Sequence, residues 1–528
     1  MDIYRRYMSE RHSPMRLLTL IALFLLLPSA ASASNFTQIA PGSYGVGLRV
    51  VAQYDYSRGY GGATDPVTGA PKQDQRARPI QTLIWYPAES VGAPMTLADY
   101  LKFGASDDKF DLSATEQSAA DTAFIVGQTA RLSKERAHDE LSAKMLAHFD
   151  APALPGRFPV IVYAPSLSAG AIENADLCEF LASHGYVVIA SPSFGAGARE
   201  MTTDLDGIEA QARDIEFLIG YAHALPQADP GKIGVIGYSW GGIANVFAAA
   251  RDSRIGALVA LDGSVRYWPE MIAKAPYVTP SRLTAPLLYV AARPKEIEHI
   301  SAGLDETTSF LNKMIYADVY RVTLNPLEHP NFSSVFDQRL LPDDRYREFD
   351  KDEMSTAFGW METYVLHFLD AYLKADAPSL AFLSRTPREN QAPLHMMTGE
   401  LHKGAVAPAT REDLAAHAAR NDFATIEADY QQLKQRTPEF TLSESELNDW
   451  GYRLLALGRR KAAVRVFELS TRLYPSSGNA FDSLGEAYAK NEQTSDAIKA
   501  YTQSLKLDPT NGNATTQLSI LRGRGAKS

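Results

Sequence analysis

Between residues 158 and 324, short continuous apolar runs alternate with segments of helical periodicity, and this alternation constrains the fold more than any other feature. The apolar runs are 158–163, 186–190, 232–236, 255–261, 286–291 and 319–324. The helical segments lie near 172–184, 206–223 and 241–250. Strands are continuously apolar when helices that connect parallel strands cover both faces of the sheet. The sequence therefore predicts an α/β fold with a mostly parallel central sheet and helices on both faces.

The C-terminal part of the chain repeats itself with a period of 34 residues. Five pairs of positions keep this spacing: Gly451 and Gly485, Ala463 and Ala497, Phe467 and Tyr501, Leu473 and Leu507, and Pro475 and Pro509. The period and the residue types are typical of tetratricopeptide helix pairs. We expect an all-α tetratricopeptide-repeat domain over residues 411–528, with clear copies at about 444–477 and 478–511 and a looser copy that ends at Pro438.

The N-terminus has the features of a secretory signal. Four arginines precede an apolar run of 11 residues at 17–27, and the small residues Ala31-Ser32-Ala33 follow it. Such a run is too short to cross a bilayer, which needs about 20 residues. The pattern predicts a signal peptide over residues 1–33 and hence a periplasmic or secreted protein, with an uncleaved anchor as the alternative.

Charge and cysteine content argue against several kinds of partner and site. The 52 basic and 62 acidic side chains give a net charge of −10, whereas nucleic acids reward clustered lysine and arginine. The single cysteine, Cys178, can form neither an internal disulfide nor a cysteine-based metal site. The sequence has no phosphate-binding loop and no metal-ligand motif. We therefore expect no cofactor, no metal and no nucleic-acid partner.

Domain boundaries follow from these segments. After the signal we expect one large domain over residues 34–377, closed by an amphipathic helix at 354–373. Residues 94–150 are longer than a plain connection and are expected to form a helical cap. Residues 378–410 contain several prolines and no clear period, and we expect them to be a linker to the repeats.

Ser239 is the first residue that can carry chemistry. It lies in the stretch 237–242 (GYSWGG), directly after the apolar run 232–236 and before a helical segment. A strand, a G-x-S-x-G turn and a helix are what a nucleophile elbow requires, because the serine sits on a strained turn between small neighbours. The N–H of the next residue, Trp240, is then expected to form part of an oxyanion hole. An inert serine in a turn is the alternative.

A serine nucleophile needs a base, and the base needs a carboxylate that holds its tautomer. After a G-x-S-x-G elbow these partners follow the serine along the chain. Asp262 ends the apolar run 255–261, and His329 follows the last run, 319–324. Both lie where strands end, at the sheet edge where ligands bind. A carboxylate one strand later is the alternative acid: Glu296, Glu298 or Asp305.

These segments resemble the platelet-activating-factor acetylhydrolase branch of the α/β hydrolases, close to dienelactone-hydrolase-like proteins. The resemblance covers roughly residues 45–375. It rests on the runs Ile84-Trp85-Tyr86-Pro87, Ala260-Leu261-Asp262-Gly263, Trp268-Pro269 and His329-Pro330-Asn331-Phe332. It implies an α/β-hydrolase fold, and it favours Asp262 as the acid, 23 residues after the serine.

The resemblance also implies that the loop after the first central strand supplies a second oxyanion donor, here Leu167. This loop departs from the family's H-G-x-G run, because the chain has Ala164-Pro165-Ser166-Leu167-Ser168 there. A backbone N–H donates whatever its side chain, so the departure bears on rate and substrate rather than on the class of reaction.

The sequence thus predicts an exported serine esterase with the catalytic residues Ser239, Asp262 and His329, acting on a small-molecule or lipid-like ester. A prolyl-oligopeptidase-like peptidase is one alternative, although residues 34–157 leave no room for the large preceding domain of that group. The other alternative is an idle hydrolase scaffold that acts through its repeats, by binding a protein partner or by self-association.

Overall fold

The computed structural model describes residues 36–37, 39–61, 64, 68–71, 76–293, 310–345 and 348–525. The chain divides into two compact units, Met1–Gly404 and Ala405–Ser528. The predicted signal peptide over residues 1–33 lies outside the described residues. Among the helices that are described, none is both long and apolar enough to span a membrane.

The first unit is built on one ten-stranded sheet. Its strands are β1 (Gly45–Tyr60), β2 (Arg76–Ala88), β3 (Ala147–Phe149), β4 (Phe158–Ala164), β5 (Val187–Ala190), β6 (Ala228–Tyr238), β7 (Ile255–Leu261), β8 (Leu287–Ala292), β9 (Val319–Leu324) and β10 (Met397–His402). Their order across the sheet is β10-β9-β8-β7-β6-β4-β5-β2-β1-β3. The six strands from β9 to β5 are parallel neighbours, and β10 and β2 pair antiparallel on either side of them. The predicted mostly parallel sheet is confirmed.

Helices cover both faces of this sheet. They are α1 (Leu97–Phe103), α2 (Ala114–Thr129), α3 (Lys134–Ser142), α4 (Ala175–Ser183), α5 (Leu205–Ala222), α6 (Gly241–Arg251), α7 (Pro269–Ala273), α8 (Lys351–Leu373) and α9 (Ala377–Leu383). Helices α4 and α8 pack on one face, and α5 and α6 pack on the other. Along β4, Ile161 and Tyr163 join the first core while Val160 and Val162 join the second. Burial on both faces explains why the central strands are apolar without interruption.

The predicted linker over residues 378–410 is wrong in its first part. This stretch contains most of α9 and the edge strand β10, whose Met397 lies opposite Leu324 of β9. The pairing satisfies backbone groups that the edge of β9 would otherwise leave free. Only Met397 of β10 is buried and its other side chains are exposed, so no apolar pattern marks the strand in the sequence.

The segment 94–150, predicted to be a helical cap, contains α1, α2, α3 and the short strand β3. Strand β3 pairs with β1 and extends the sheet at its edge. Helix α1 is partly buried in the core, whereas α2 has no fully buried residue. The segment is therefore partly an extension of the core and partly an exposed helix.

The second unit is helical. Its described helices are α10 (Arg411–Ala419), α11 (Ile426–Arg436), α12 (Glu444–Ala456), α13 (Arg460–Leu473), α14 (Gly478–Lys490), α15 (Thr494–Leu507) and α16 (Gly512–Gly525). A Cβ added at Gly451 would clash with the ring of Phe467, and one at Gly485 with the ring of Tyr501. Paired helices thus touch at the glycines, against the aromatic residue that the 34-residue period places there.

Candidate active site

Ser239 lies in the turn between β6 and α6, in a backbone conformation that ordinary residues avoid. Its φ is 52°, in the left-handed region, which costs a non-glycine residue about 1–3 kcal/mol. A Cβ at Gly237 would meet the carbonyl of Gly241, and one at Gly242 would meet the backbone of Gly263. The glycines therefore permit the close packing that holds the strained serine, as the elbow motif predicts.

The structure brings Ser239, His329 and Asp262 into one hydrogen-bonded chain. Ser239 Oγ lies 2.8 Å from His329 Nε2, and His329 Nδ1 lies 2.6 Å from Asp262 Oδ2. The Asp262 side chain is 2% exposed and that of His329 is 40% exposed. The carboxylate is therefore shielded from water, while the imidazole and the hydroxyl can meet a ligand.

The other Asp262 oxygen, Oδ1, has its own donors. It accepts hydrogen bonds from the Ala292 N–H at 3.1 Å and from the Tyr267 hydroxyl at 3.2 Å. The backbone of Asp262 also has a positive φ, 40°, and its N–H donates to the Val290 carbonyl at 2.6 Å. These contacts fix the carboxylate so that only Oδ2 faces His329.

The loop that carries His329 is anchored to the end of β6, the strand that precedes Ser239. The hydroxyl of Tyr238, next to the serine, donates to the His329 carbonyl at 2.8 Å. At the start of the loop the Glu328 N–H donates to Asn331 Oδ1 at 2.8 Å. We call residues 329–335 the histidine loop.

The alternative acids Glu296, Glu298 and Asp305 lie outside the described residues. Among the residues that are described, Asp262 is the carboxylate that His329 contacts. Its position at the end of β7 is the one that the sequence predicts.

The predicted oxyanion donors, Leu167 and Trp240, lie on neighbouring segments. A Cβ at Gly241, the residue after Trp240, would clash with the Ala164 carbonyl, so the elbow is in close contact with the end of β4. In the described part of the chain, neither the Leu167 N–H nor the Trp240 N–H has a hydrogen-bond acceptor. Both N–H groups therefore remain candidate oxyanion donors. We call residues 165–169 the donor loop.

Two residues that contact this site were missed in the sequence. Tyr267 binds Asp262, and Glu173 accepts a hydrogen bond from the Ser166 N–H in the donor loop at 2.8 Å. Burial raises the pKa of Glu173 to about 7. Tyr267 lies beside the Trp268-Pro269 pair. Neither Tyr267 nor Glu173, however, belongs to a motif that predicts such a contact.

A cavity of about 770 Å³ adjoins the histidine loop. The end of α2 and Arg131 contribute to its wall, together with Pro330 and Asp337. Burial raises the pKa of Asp337 to about 6. Another wall residue, Arg293, pairs with Glu328 and Glu348, each at 2.6 Å. The predicted cap segment therefore borders a space that charged residues line together with apolar ones.

Comparison with known proteins agrees with this architecture. Residues 145–309 match the dienelactone hydrolase family. The first unit has an α/β-hydrolase fold. Residues 478–511 match the tetratricopeptide repeat, so the hydrolase unit is followed by helical repeats of that kind.

Two individual proteins are similar to parts of this chain. A Synechocystis sp. protein named as a carboxymethylenebutenolidase is 28% identical over 141 residues, which span 24% of this chain and 56% of that protein. The chain thus matches only about half of this relative. A solved ferulic acid esterase from Streptomyces cinnamoneus is 20% identical with a TM-score of 0.47, and the match covers 69% of this chain and 98% of that one.

Proposed function

We propose that the protein is an exported serine hydrolase that cleaves carboxylic esters. The observation that carries the proposal is the chain from Ser239 Oγ through His329 to Asp262, with distances of 2.8 and 2.6 Å. Such a chain lets the imidazole take the serine proton while the carboxylate stabilises the imidazolium. The match to the dienelactone hydrolase family favours esters as substrates, because a lactone is a cyclic ester.

In the first half of the reaction, Ser239 Oγ forms a bond to the ester carbonyl carbon and its proton passes to His329 Nε2. The carbonyl electron pair moves onto oxygen, where the N–H groups of Trp240 and Leu167 stabilise the charge. The C–O bond to the alcohol then breaks, and the leaving oxygen takes the proton from Nε2. The products are a free alcohol and an acyl group on Ser239.

Water then completes the cycle: it attacks the acyl group, and Ser239 is the leaving group. Nε2 of His329 removes a proton from water, whose oxygen bonds to the acyl carbon. Collapse of this second intermediate breaks the bond to Ser239 Oγ, which recovers the proton from Nε2. A carboxylic acid leaves, and the enzyme returns to its starting state.

Access to the site is compatible with a small-molecule or lipid-like ester. Leu167 is 42% exposed and Tyr267 is 50% exposed, so apolar and aromatic surface is open to solvent on the donor loop and next to Asp262. An ester can approach from this side, with its second group directed into solvent or towards the cavity next to the histidine loop.

The test compares the wild type with Ser239→Ala and with Ser118→Ala, whose serine is exposed on α2. We expect the wild type and Ser118→Ala to hydrolyse p-nitrophenyl esters and to be labelled by a fluorophosphonate. Ser239→Ala should do neither, because only an activated serine reacts. Labelling with cleavage of proline-containing peptides instead of esters would favour a peptidase, and absence of labelling would favour an idle scaffold.

We also propose that residues 1–33 are a signal peptide and that the mature protein is periplasmic or secreted. Mass spectrometry of the protein from its native host should find a mature N-terminus at Ser34, whereas an intact N-terminus would contradict export with cleavage.

We propose further that the tetratricopeptide repeats bind a protein segment or a second copy of the chain, since stacked helix pairs form a concave surface. Light scattering of the purified protein tests the self-association.

A further inference from the structure

We propose that Glu173 is a positioning residue that holds the donor loop in its oxyanion-binding shape and links it to the histidine loop. The inference rests on the proposed function, since it concerns the same site. None of the hydrogen bonds of Glu173 reaches Ser239 or His329, and the residue acts through the backbone of the segments around them.

The Glu173 carboxylate binds the donor loop directly. Its Oε2 accepts hydrogen bonds from the Ser166 N–H at 2.8 Å and from the Tyr163 hydroxyl at 2.9 Å, and its Oε1 accepts one from the Ser166 hydroxyl. Ser166 immediately precedes Leu167, the second oxyanion donor. Because the Ser166 N–H points to Glu173, the direction of the next peptide group, which carries the Leu167 N–H, is restricted.

The same short segment is bonded to the histidine loop. The Val335 N–H donates to the Glu173 carbonyl at 3.2 Å, and the Ser334 N–H donates to Asn174 Oδ1 at 2.8 Å. The side-chain amide of Asn174 donates in turn to the Tyr163 hydroxyl at 2.7 Å. One contiguous network therefore joins the loop that binds the oxyanion to the loop that carries the base.

A carboxylate suits this network better than a neutral side chain. Three donors converge on Glu173, and an ionised carboxylate accepts from all three without needing a donor of its own. The side chain is 3% exposed, and the titratable groups that face it are Tyr163 on β4, Tyr238 on β6 and Asp337 in the segment that follows the histidine loop. None of these three is a cation that would offset the charge.

The network should therefore respond to pH. Burial raises the Glu173 pKa to about 7, so the carboxylate is ionised above that pH and protonated below it. A protonated Glu173 has one hydroxyl that must donate, so it cannot keep all three hydrogen bonds as they are. We expect the donor loop to loosen as the pH falls through 7.

Glu179, in helix α4 just after Glu173 in the chain, provides a matched control. It is 2% exposed, and burial raises its pKa to about 7 as well. Its oxygens accept hydrogen bonds from the Tyr100 hydroxyl and from the Leu146 and Ala147 N–H groups, so it touches neither catalytic loop. Replacing it changes a buried glutamate without disturbing the site.

The experiment measures kcat, KM and the pH profile of p-nitrophenyl ester hydrolysis for the wild type, Glu173→Gln, Glu173→Met and Glu179→Gln. Removing an oxyanion donor costs about 10²–10³ in rate, and misplacing one should cost less. We expect kcat to fall about 10-fold in Glu173→Gln and about 100-fold in Glu173→Met, which keeps no acceptor, with KM nearly unchanged. Glu179→Gln should stay close to the wild type. Below pH 7, the rate should fall more steeply with acid in the wild type than in Glu173→Gln.

Equal kcat values in Glu173→Gln and Glu179→Gln, or identical acid limbs in the wild type and Glu173→Gln, would overturn the positioning role. If Glu173→Met does not fold, Glu173→Gln and its pH profile decide the question alone. A wild type that neither hydrolyses esters nor reacts with a fluorophosphonate would refute the proposed function itself, and this inference with it.

Discussion

Replacing Asp262 by Asn tests the proposed mechanism most directly, because the structure fixes how the new amide must sit. Asp262 Oδ1 accepts hydrogen bonds from the Ala292 N–H and the Tyr267 hydroxyl, at 3.1 and 3.2 Å. In Asp262→Asn the amide oxygen should keep this place, and the NH₂ group should therefore face His329 Nδ1. The histidine then accepts at Nδ1 and carries its proton on Nε2, where it can no longer take the proton of Ser239.

The size of the effect follows from the cost of turning the amide around. The reverse orientation would leave the half-buried Ala292 N–H without its acceptor, which costs about 1–3 kcal/mol. At 1.36 kcal/mol for each factor of ten, the active tautomer is reduced about 5- to 150-fold. Loss of the negative charge that stabilises the imidazolium adds to this. We expect kcat to fall by about 10³–10⁴, similar to the effect of the corresponding change in a serine protease with an established triad.

The assay is steady-state hydrolysis of p-nitrophenyl acetate, together with the rate of fluorophosphonate labelling and the melting temperature. The control, Tyr267→Phe, removes one donor to Asp262 but leaves the carboxylate in place, and we expect less than a tenfold loss of kcat. The melting temperature of Asp262→Asn should stay near that of the wild type. A folded Asp262→Asn enzyme that keeps a tenth or more of the wild-type kcat would refute this account of the carboxylate.

Two further predictions concern stability. Burial raises the pKa of three glutamates from 4.5 to about 7 or 8, namely Glu173, Glu179 and Glu362. The folded chain therefore binds more protons than the unfolded chain between about pH 4.5 and 8. Its free energy of unfolding should decrease as the pH rises from 6 to 8.5, by on the order of 1–2 kcal/mol for each group. Calorimetric melting temperatures that rise over this range would contradict the assignment. In the repeats, Gly451→Ala places a methyl group against the ring of Phe467 and should destabilise the second unit by about 1–3 kcal/mol without changing fluorophosphonate labelling. The control is the exposed Gly127 of α2, where an added Cβ meets nothing within 4 Å, so Gly127→Ala should not destabilise the protein. Equal melting temperatures for the two variants would show that the contact at Gly451 is unimportant.

The edge strand β10 and the positioning residue Glu173 are two features that sequence patterns could not predict. Five of the six side chains of β10 are exposed, so nothing but the backbone edge of β9 makes this segment a strand. Glu173 is an isolated acidic residue before an apolar helix, and its contacts with Ser334 and Val335 depend on residues about 160 positions away. Interactions of this kind leave no periodic trace, because they join single residues rather than faces of elements.

Features that repeat, or that demand a special local geometry, could be predicted from the amino-acid sequence. Apolar runs between helices required a sheet buried on both faces, glycines around Ser239 allowed a strained turn, and a 34-residue period required stacked helix pairs. The contact of Asp262 with His329, and that of a buried glutamate with the donor loop, depend on how the folded chain brings distant segments together. Local sequence patterns indicate which side chains of a segment are buried, whereas a hydrogen bond between distant segments depends on how the whole chain packs.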